Sequence, residues 1–139
     1  MYTHSEQLLS ASNTLSKYLS DELIEWRALV EFYLSEIKLF APKFSYVVHR
    51  NSIIGIAEKV ESHHIRLNQV KEKINRILKE INLQESVLNP NNSLITDEQV
   101  TREIDKFQTD LRTKIQSVEK EYVDIKFDSY FFLSSVLKK

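Results

Sequence analysis

Ile53, Ile56, Val60, His63, Leu67, Val70, Ile74, Ile77, Ile81, Gln84 and Leu88 follow one another at alternating steps of three and four. On a helix of 3.6 residues per turn this spacing draws a narrow apolar stripe, which is buried only against helices carrying matching stripes. Upstream, Leu23, Trp26, Val30, Tyr33, Ile37, Phe40, Phe44 and Val47 make a second such seam, unbroken in phase across Pro42. Proline removes one backbone hydrogen bond and crowds the preceding turn, so Pro42 reads as a kink within a continuing helix. The phase breaks after Val47, which places a reversal at His49-Arg50-Asn51-Ser52, with Asn51 closing one helix and Ser52 capping the next. A short β-hairpin built from Tyr46-Val47-Val48 and Ile53-Ile54 is the alternative at this point.

Downstream, Asn89-Pro90-Asn91-Asn92-Ser93 ends the central helix. Thr96 and Gln99 form a capping box, with Ile95 and Val100 as its hydrophobic staple. A third stripe runs Val100, Ile104, Phe107, Leu111, Ile115, Val118, Tyr122, Ile125, and its two consecutive steps of four around Leu111 predict a stutter. One glycine and two prolines in 139 residues leave few places for tight turns. The expected fold is therefore all-α, an antiparallel up-down-up bundle of three long helices near 21–48, 53–88 and 97–137 with coiled-coil-like seams. Residues 1–139 form a single domain in this reading, with 1–20 weakly specified. Counting outward from the turns sets His63 beside Ile37 and Lys38 on the first helix and beside Tyr122 on the third.

A net charge of −1, from 19 basic and 20 acidic side chains, argues against a protein whose main task is holding nucleic acid or an anionic membrane by charge. Without cysteine there is no thiolate nucleophile, disulfide or cysteine-ligated metal. The start of the chain lacks the basic and apolar regions of a secretion signal, so a cytoplasmic location is expected. Residues 5–40 carry three basic and six acidic side chains against seven and five in 44–88, an imbalance that would help the first two helices choose each other.

Three clusters carry what chemistry there is. Glu61, His63 and His64 include a Glu and a His three apart, the spacing that di-iron bundles use on two helices. Here it occurs once, without partner histidines on the other helices, so His63 is expected to fill its seam position and bond a neighbour such as Tyr122. Arg66, Lys71, Lys73, Arg76 and Lys79 form a basic run, interrupted by Glu72 and Glu80 and with no interleaved aromatic for stacking on bases. A solvated helix face, with Glu72 paired to Arg76, explains it better than nucleic-acid binding. Phe127 to Leu137 is apolar on two sides, suited to the core and, where it overhangs, to a second copy, another protein or, last in order, a membrane surface. Ile24, Phe32, Leu34 and Leu39 likewise lie off the first seam. No Gly-x-Ser-x-Gly turn or Gly-rich phosphate loop occurs, so no catalytic, cofactor or metal residue is assigned.

The stretch Glu25-Trp26 through Phe32-Tyr33, Glu36-Ile37-Lys38 and Leu39-Phe40, and more loosely Arg50-Asn51-Ser52 into Val60-Glu61, resembles a family of small, uncharacterised, all-helical bacterial proteins. The resemblance covers roughly the first half of the chain. It implies a helical fold and the place of the first turn, and no activity or catalytic residue; Pro42 departs from it. The expectation is a non-enzymatic interaction or scaffold module, most simply a homodimer. A metal-binding bundle and a weak nucleic-acid binder are its rivals.

Overall fold

The computed structural model describes residues 4–50, 54–88 and 98–137, with side chains from residue 14 onward. Four helices appear: α1 (His4–Lys38), α2 (Phe40–Arg50), α3 (Ile56–Val87) and α4 (Glu98–Leu137). The fold is an all-α bundle, and among the described residues there is no strand, so the hairpin alternative is not what forms. α1 and α2 are the expected first helix, joined with a bend of 17°. The break falls at Leu39, three residues before Pro42, and Leu39 N–H bonds back to the Glu36 carbonyl at 3.0 Å. A proline has no N–H for the carbonyl four residues earlier and its ring crowds that carbonyl, so the ladder fails at Lys38 rather than at Pro42 itself.

Two boundaries differ from expectation. α1 starts at His4, although residues 4–20 are rich in Ser, Asn and Thr, because the stripe continues backward through Leu19, which is 2% exposed. Around Leu19 tertiary burial outweighs the weak helix propensity of the neighbouring Ser16 and Ser20. α3 starts at Ile56 rather than near 53, after Gly55 at φ 91°. This conformation strains any side chain with a Cβ, and the Gly55 carbonyl accepts the first bond of the helix from Lys59 at 3.1 Å. Asn51, Ser52, Asn89 to Ser93, Ile95 and Thr96 lie outside the described residues.

The described chain divides into two compact units, one within Met1–Leu29 and Ile77–Ile115, the other within Val30–Arg76 and Gln116–Lys139. In each unit three stretches of helix pack together. In the first, Arg27 reaches Glu85 and Ser16 reaches Leu88, antiparallel between α1 and α3, while Glu22 meets Arg112, parallel between α1 and α4. In the second, Glu36 meets Lys126, while Lys73 meets Glu121 and Arg66 meets Asp128, antiparallel between α3 and α4.

The core follows the seams. Leu23, Val30, Tyr33, Ile37, Phe40, Phe44 and Val47 are buried, as are Leu67 through Leu88 at their heptad positions, Gln84 included. On α4 the buried line is Ile104, Gln108, Leu111, Ile115, Val118, Tyr122, Ile125 and Ser129. The stutter expected around Leu111 is absent: Gln108, fully buried, takes the position read for Phe107, the steps alternate four and three from Ile104 to Ser129, and two consecutive steps of four fall instead at Ile125, Ser129 and the buried Leu133.

Candidate functional site

Heptad seams bury a face but leave the axial register open, since a slip of seven residues, about 10 Å, returns every side chain to the same side. Polar groups in the core remove that freedom. In the first unit Gln84 Nε2 donates to Gln108 Oε1 at 3.0 Å and to the Ile104 carbonyl at 3.0 Å, while Gln108 Nε2 donates to the Leu19 carbonyl at 2.9 Å and to Glu22 Oε1 at 3.0 Å. Arg112 closes the network with two bonds to Glu22, at 2.6 and 3.1 Å, and lies over the Trp26 ring at 5.6 Å. The hydrogen bonds to Glu22 hold the Arg112 charge more firmly than usual. Three helices are thus tied at one level.

The second unit has its own tie. Tyr122 O–H donates to Glu36 Oε1 at 2.7 Å, Lys126 bonds both Glu36 oxygens at 3.1 and 3.0 Å, and the Tyr33 and Tyr122 rings lie 4.6 Å apart. Burial alone would raise the Glu36 pKa, but the bonds from Tyr122 and Lys126 outweigh it and the carboxyl is held below its usual range. Burial, then the bond to Glu36, pushes Tyr122 far up, and burial followed by Glu119 raises Tyr33. A phenol held protonated is a fixed donor, the opposite of an activated nucleophile or base.

His63 does not meet Tyr122. Its Nδ1 lies 3.1 Å from the hydroxyl of Ser129, and its ring stacks on Phe132 at 4.8 Å with Phe44 at 6.2 Å. These partners lie one heptad beyond those expected on both neighbouring helices. α3 begins one turn later than a start near residue 53 allows, and the slip leaves every face unchanged. Burial first, then the Arg66 charge, lowers the His63 pKa, with Asp128 opposing. His64 points elsewhere, into a groove described below, and Glu61 is exposed. Among the described residues no group of three or more His, Asp or Glu side chains converges as metal ligands would.

The basic run of α3 is partly spent on α4. Arg66 pairs with Asp128 at 3.1 Å and Lys73 with Glu121 at 2.6 Å, whereas the expected Glu72–Arg76 pair does not form. An exposed i,i+4 pair is worth only about 0.3–0.5 kcal/mol, little enough for both groups to stay hydrated. Charge also sorts the helices differently from expectation, because Glu22 and Glu36 of α1 go to Arg112 and Lys126 of α4, not to the basic α3.

No protein-family model, curated protein or solved structure matches this chain.

Two surfaces of the second unit are open. The first is an apolar face of α1 and α4. Phe32 and Leu39, seven apart, form one row, and Val123, Phe127, Tyr130 and Phe131 form the other; all six are exposed, Phe131 by 74%. The Glu36–Lys126 pair and the Phe40–Tyr130 ring contact at 5.0 Å bring the rows side by side. Off-seam Phe32 and Leu39 are therefore not absorbed by a third helix. The second is a groove of about 420 Å³ between the α1–α2 bend and α3, floored by Leu34, Ile37, Phe40 and Leu67. Its rim carries Lys38, His64, Asn68, Lys71 and Asn75, and small Ala41 lines it just past the bend.

Proposed function

We propose that this chain is a non-enzymatic interaction module of the cytoplasm, a helical bundle that pairs with a second copy of itself through the α1–α4 face. The observation that carries the reading is the six-residue apolar face. At about 200 Å² per aromatic side chain, and less for Leu39 and Val123, its exposed part comes to roughly 600 Å². The largest apolar patch on a typical monomer is about 300–600 Å². A stable interface takes about 800 Å² from each partner, so one face per copy with its rim nearly supplies a symmetric dimer. The charges beneath are already neutralised in the Glu36–Lys126 pair, so closing the face strands no unpaired ion there. Tyr130 keeps a cation, Lys43, 5.2 Å from its ring at the edge. Among the described residues no helix is long and apolar enough to cross a membrane.

Sedimentation velocity across a dilution series tests this. The wild type is expected at twice 16.4 kDa, dissociating on dilution, and the Phe127→Ser/Phe131→Ser variant at 16.4 kDa with its helicity unchanged. A wild type that stays monomeric at every concentration, or a double variant that still pairs, would overturn the proposal.

A further inference from the structure

The groove beside the bend has a composition that the dimer does not use. On α3, His64, Asn68, Lys71 and Asn75 step four, three and four, so they form one polar stripe along the flank of the buried Leu67 line. The stripe is about 16 Å long at 1.5 Å per residue. Opposite it stand Leu34, Lys38 and Ala41, on one face of α1 continued through the break into α2. The hollow exists for a legible reason: the helix breaks at Leu39, and the residue presented there is an alanine, too short to fill the space a larger side chain would occupy. All the charge in the lining is cationic. Lys38 and Lys71 stand on opposite walls of the groove, one on α1 and one on α3, with no carboxylate among the lining side chains, and neither lysine has an ion-pair partner among the described residues.

An apolar floor, a rim of amide and cationic donors and a volume inside the usual 300–1,000 Å³ range describe a site for a small amphiphile with an anionic head. The kind of head follows from which donors are missing. Phosphate sites characteristically use the arginine fork or the free N–H groups of a helix N-terminus; this lining has no arginine, and at the α2 start within it the Leu39 N–H is taken by the Glu36 carbonyl and Pro42 has no N–H to offer. Two lysine point charges with amide donors suit a compact anionic head, and with no guanidinium fork or row of free N–H groups to hold a phosphate's several oxygens, a single carboxylate fits the donors best. The geometry points to a binding site for an aliphatic monocarboxylate, its chain lying along Leu34, Ile37 and Leu67 and its head between Lys38 and Lys71.

Dodecanoate, titrated below its micelle concentration into the full chain by calorimetry, is the probe. The expected result is saturable binding of one molecule per chain. Lys38→Gln and Lys71→Gln should each weaken it by about tenfold, as the loss of one charge-assisted bond would. Ala41→Phe, at an exposed position, fills the hollow and should abolish binding while circular dichroism stays helical. The two lysine variants keep the test decisive if that protein is poorly folded. Phe127→Ser/Phe131→Ser should bind as the wild type does, whatever its oligomeric state. The site is overturned if dodecanoate does not saturate, if neither the lysine variants nor Ala41→Phe alters it, or if the Phe127→Ser/Phe131→Ser variant loses it. Dodecyl phosphate binding more tightly than dodecanoate would overturn the assignment of the head group, and dodecanol binding equally well would overturn the part given to the lysines.

Discussion

Replacing the two buried glutamines tests how this bundle holds its register. Gln108 is fully buried and Gln84 is 3% exposed. In Gln84→Leu the Oε1 of Gln108 loses its donor inside the core, and a buried polar atom left unpaired costs about 1–3 kcal/mol. In Gln108→Leu the loss is gentler. Gln84 keeps the Ile104 carbonyl and Glu22 keeps Arg112, so about 1–2 kcal/mol is expected. The double variant removes both partners and leaves two leucines of similar volume, which makes it about as stable as the wild type, within roughly 1 kcal/mol. The coupling should therefore be about 2 kcal/mol or more. Urea unfolding of the four proteins at one fixed concentration measures it. Single changes that add within about 0.5 kcal/mol would refute the reasoning, because independent sites behave that way. The double variant should also give broader amide resonances than the wild type, since with the glutamines gone the seven-residue slip is no longer penalised in that layer.

Two further outcomes are expected. His63 has a folded pKa below its ordinary 6.5, so the unfolded chain binds the extra proton first. Its contribution is fully present above about pH 6.5 and is lost as pH falls toward and through the folded value. The melting temperature should drop on acidification from pH 7 to 5 and drop less in His63→Gln; equal slopes for the two proteins would show that His63 is not the group responsible. Gly55→Ala should cost about 1 kcal/mol, the left-handed strain of about 1–2 kcal/mol less the lower chain entropy of the unfolded state. The new Cβ meets only Glu58 Oε2 at 3.7 Å, an ordinary contact, so an unchanged urea midpoint would contradict the positive φ.

Much of the fold was legible because apolar spacing reports directly on burial. Leu23, Val30 to Val47 and Leu67 to Leu88 are buried where the heptads put them, polar Gln84 included, while Trp26 is only half-buried beneath Arg112. Gln108 and Ser129 were not. Their polarity hides them from a search for apolar stripes, and Phe107 next door offers a plausible substitute that creates a false stutter. The evenness of the step from Ile104 to Leu111 through Gln108 was the available clue. A heptad pattern does not report register, so counting from the turns sets His63 one heptad short of its partners Phe44 and Ser129. The groove was half visible, as the stripe His64, Asn68, Lys71, Asn75, but its opposite wall depends on where Pro42 breaks the chain, and proline acts three residues before itself.

The sequence distance between paired groups differs within each unit. In the first, Gln84 and Gln108 are separated by 24 positions and Lys114 and Glu80 by 34, while Arg112 and Glu22 are separated by 90. In the second, the near pair is Phe44 and His63, and the far one is Glu36 and Lys126, again 90 apart. Contacts that close short loops form at lower entropic cost than those that close long ones. Each unit thus has a hairpin that can assemble locally and a third helix that must be fetched from the other end of the chain. The local hairpins form around different connections: α3 with α4 in one unit, α2 with α3 in the other. The central helix is the one element common to both beginnings, and substitutions along α3 are the ones that should slow folding wherever it starts.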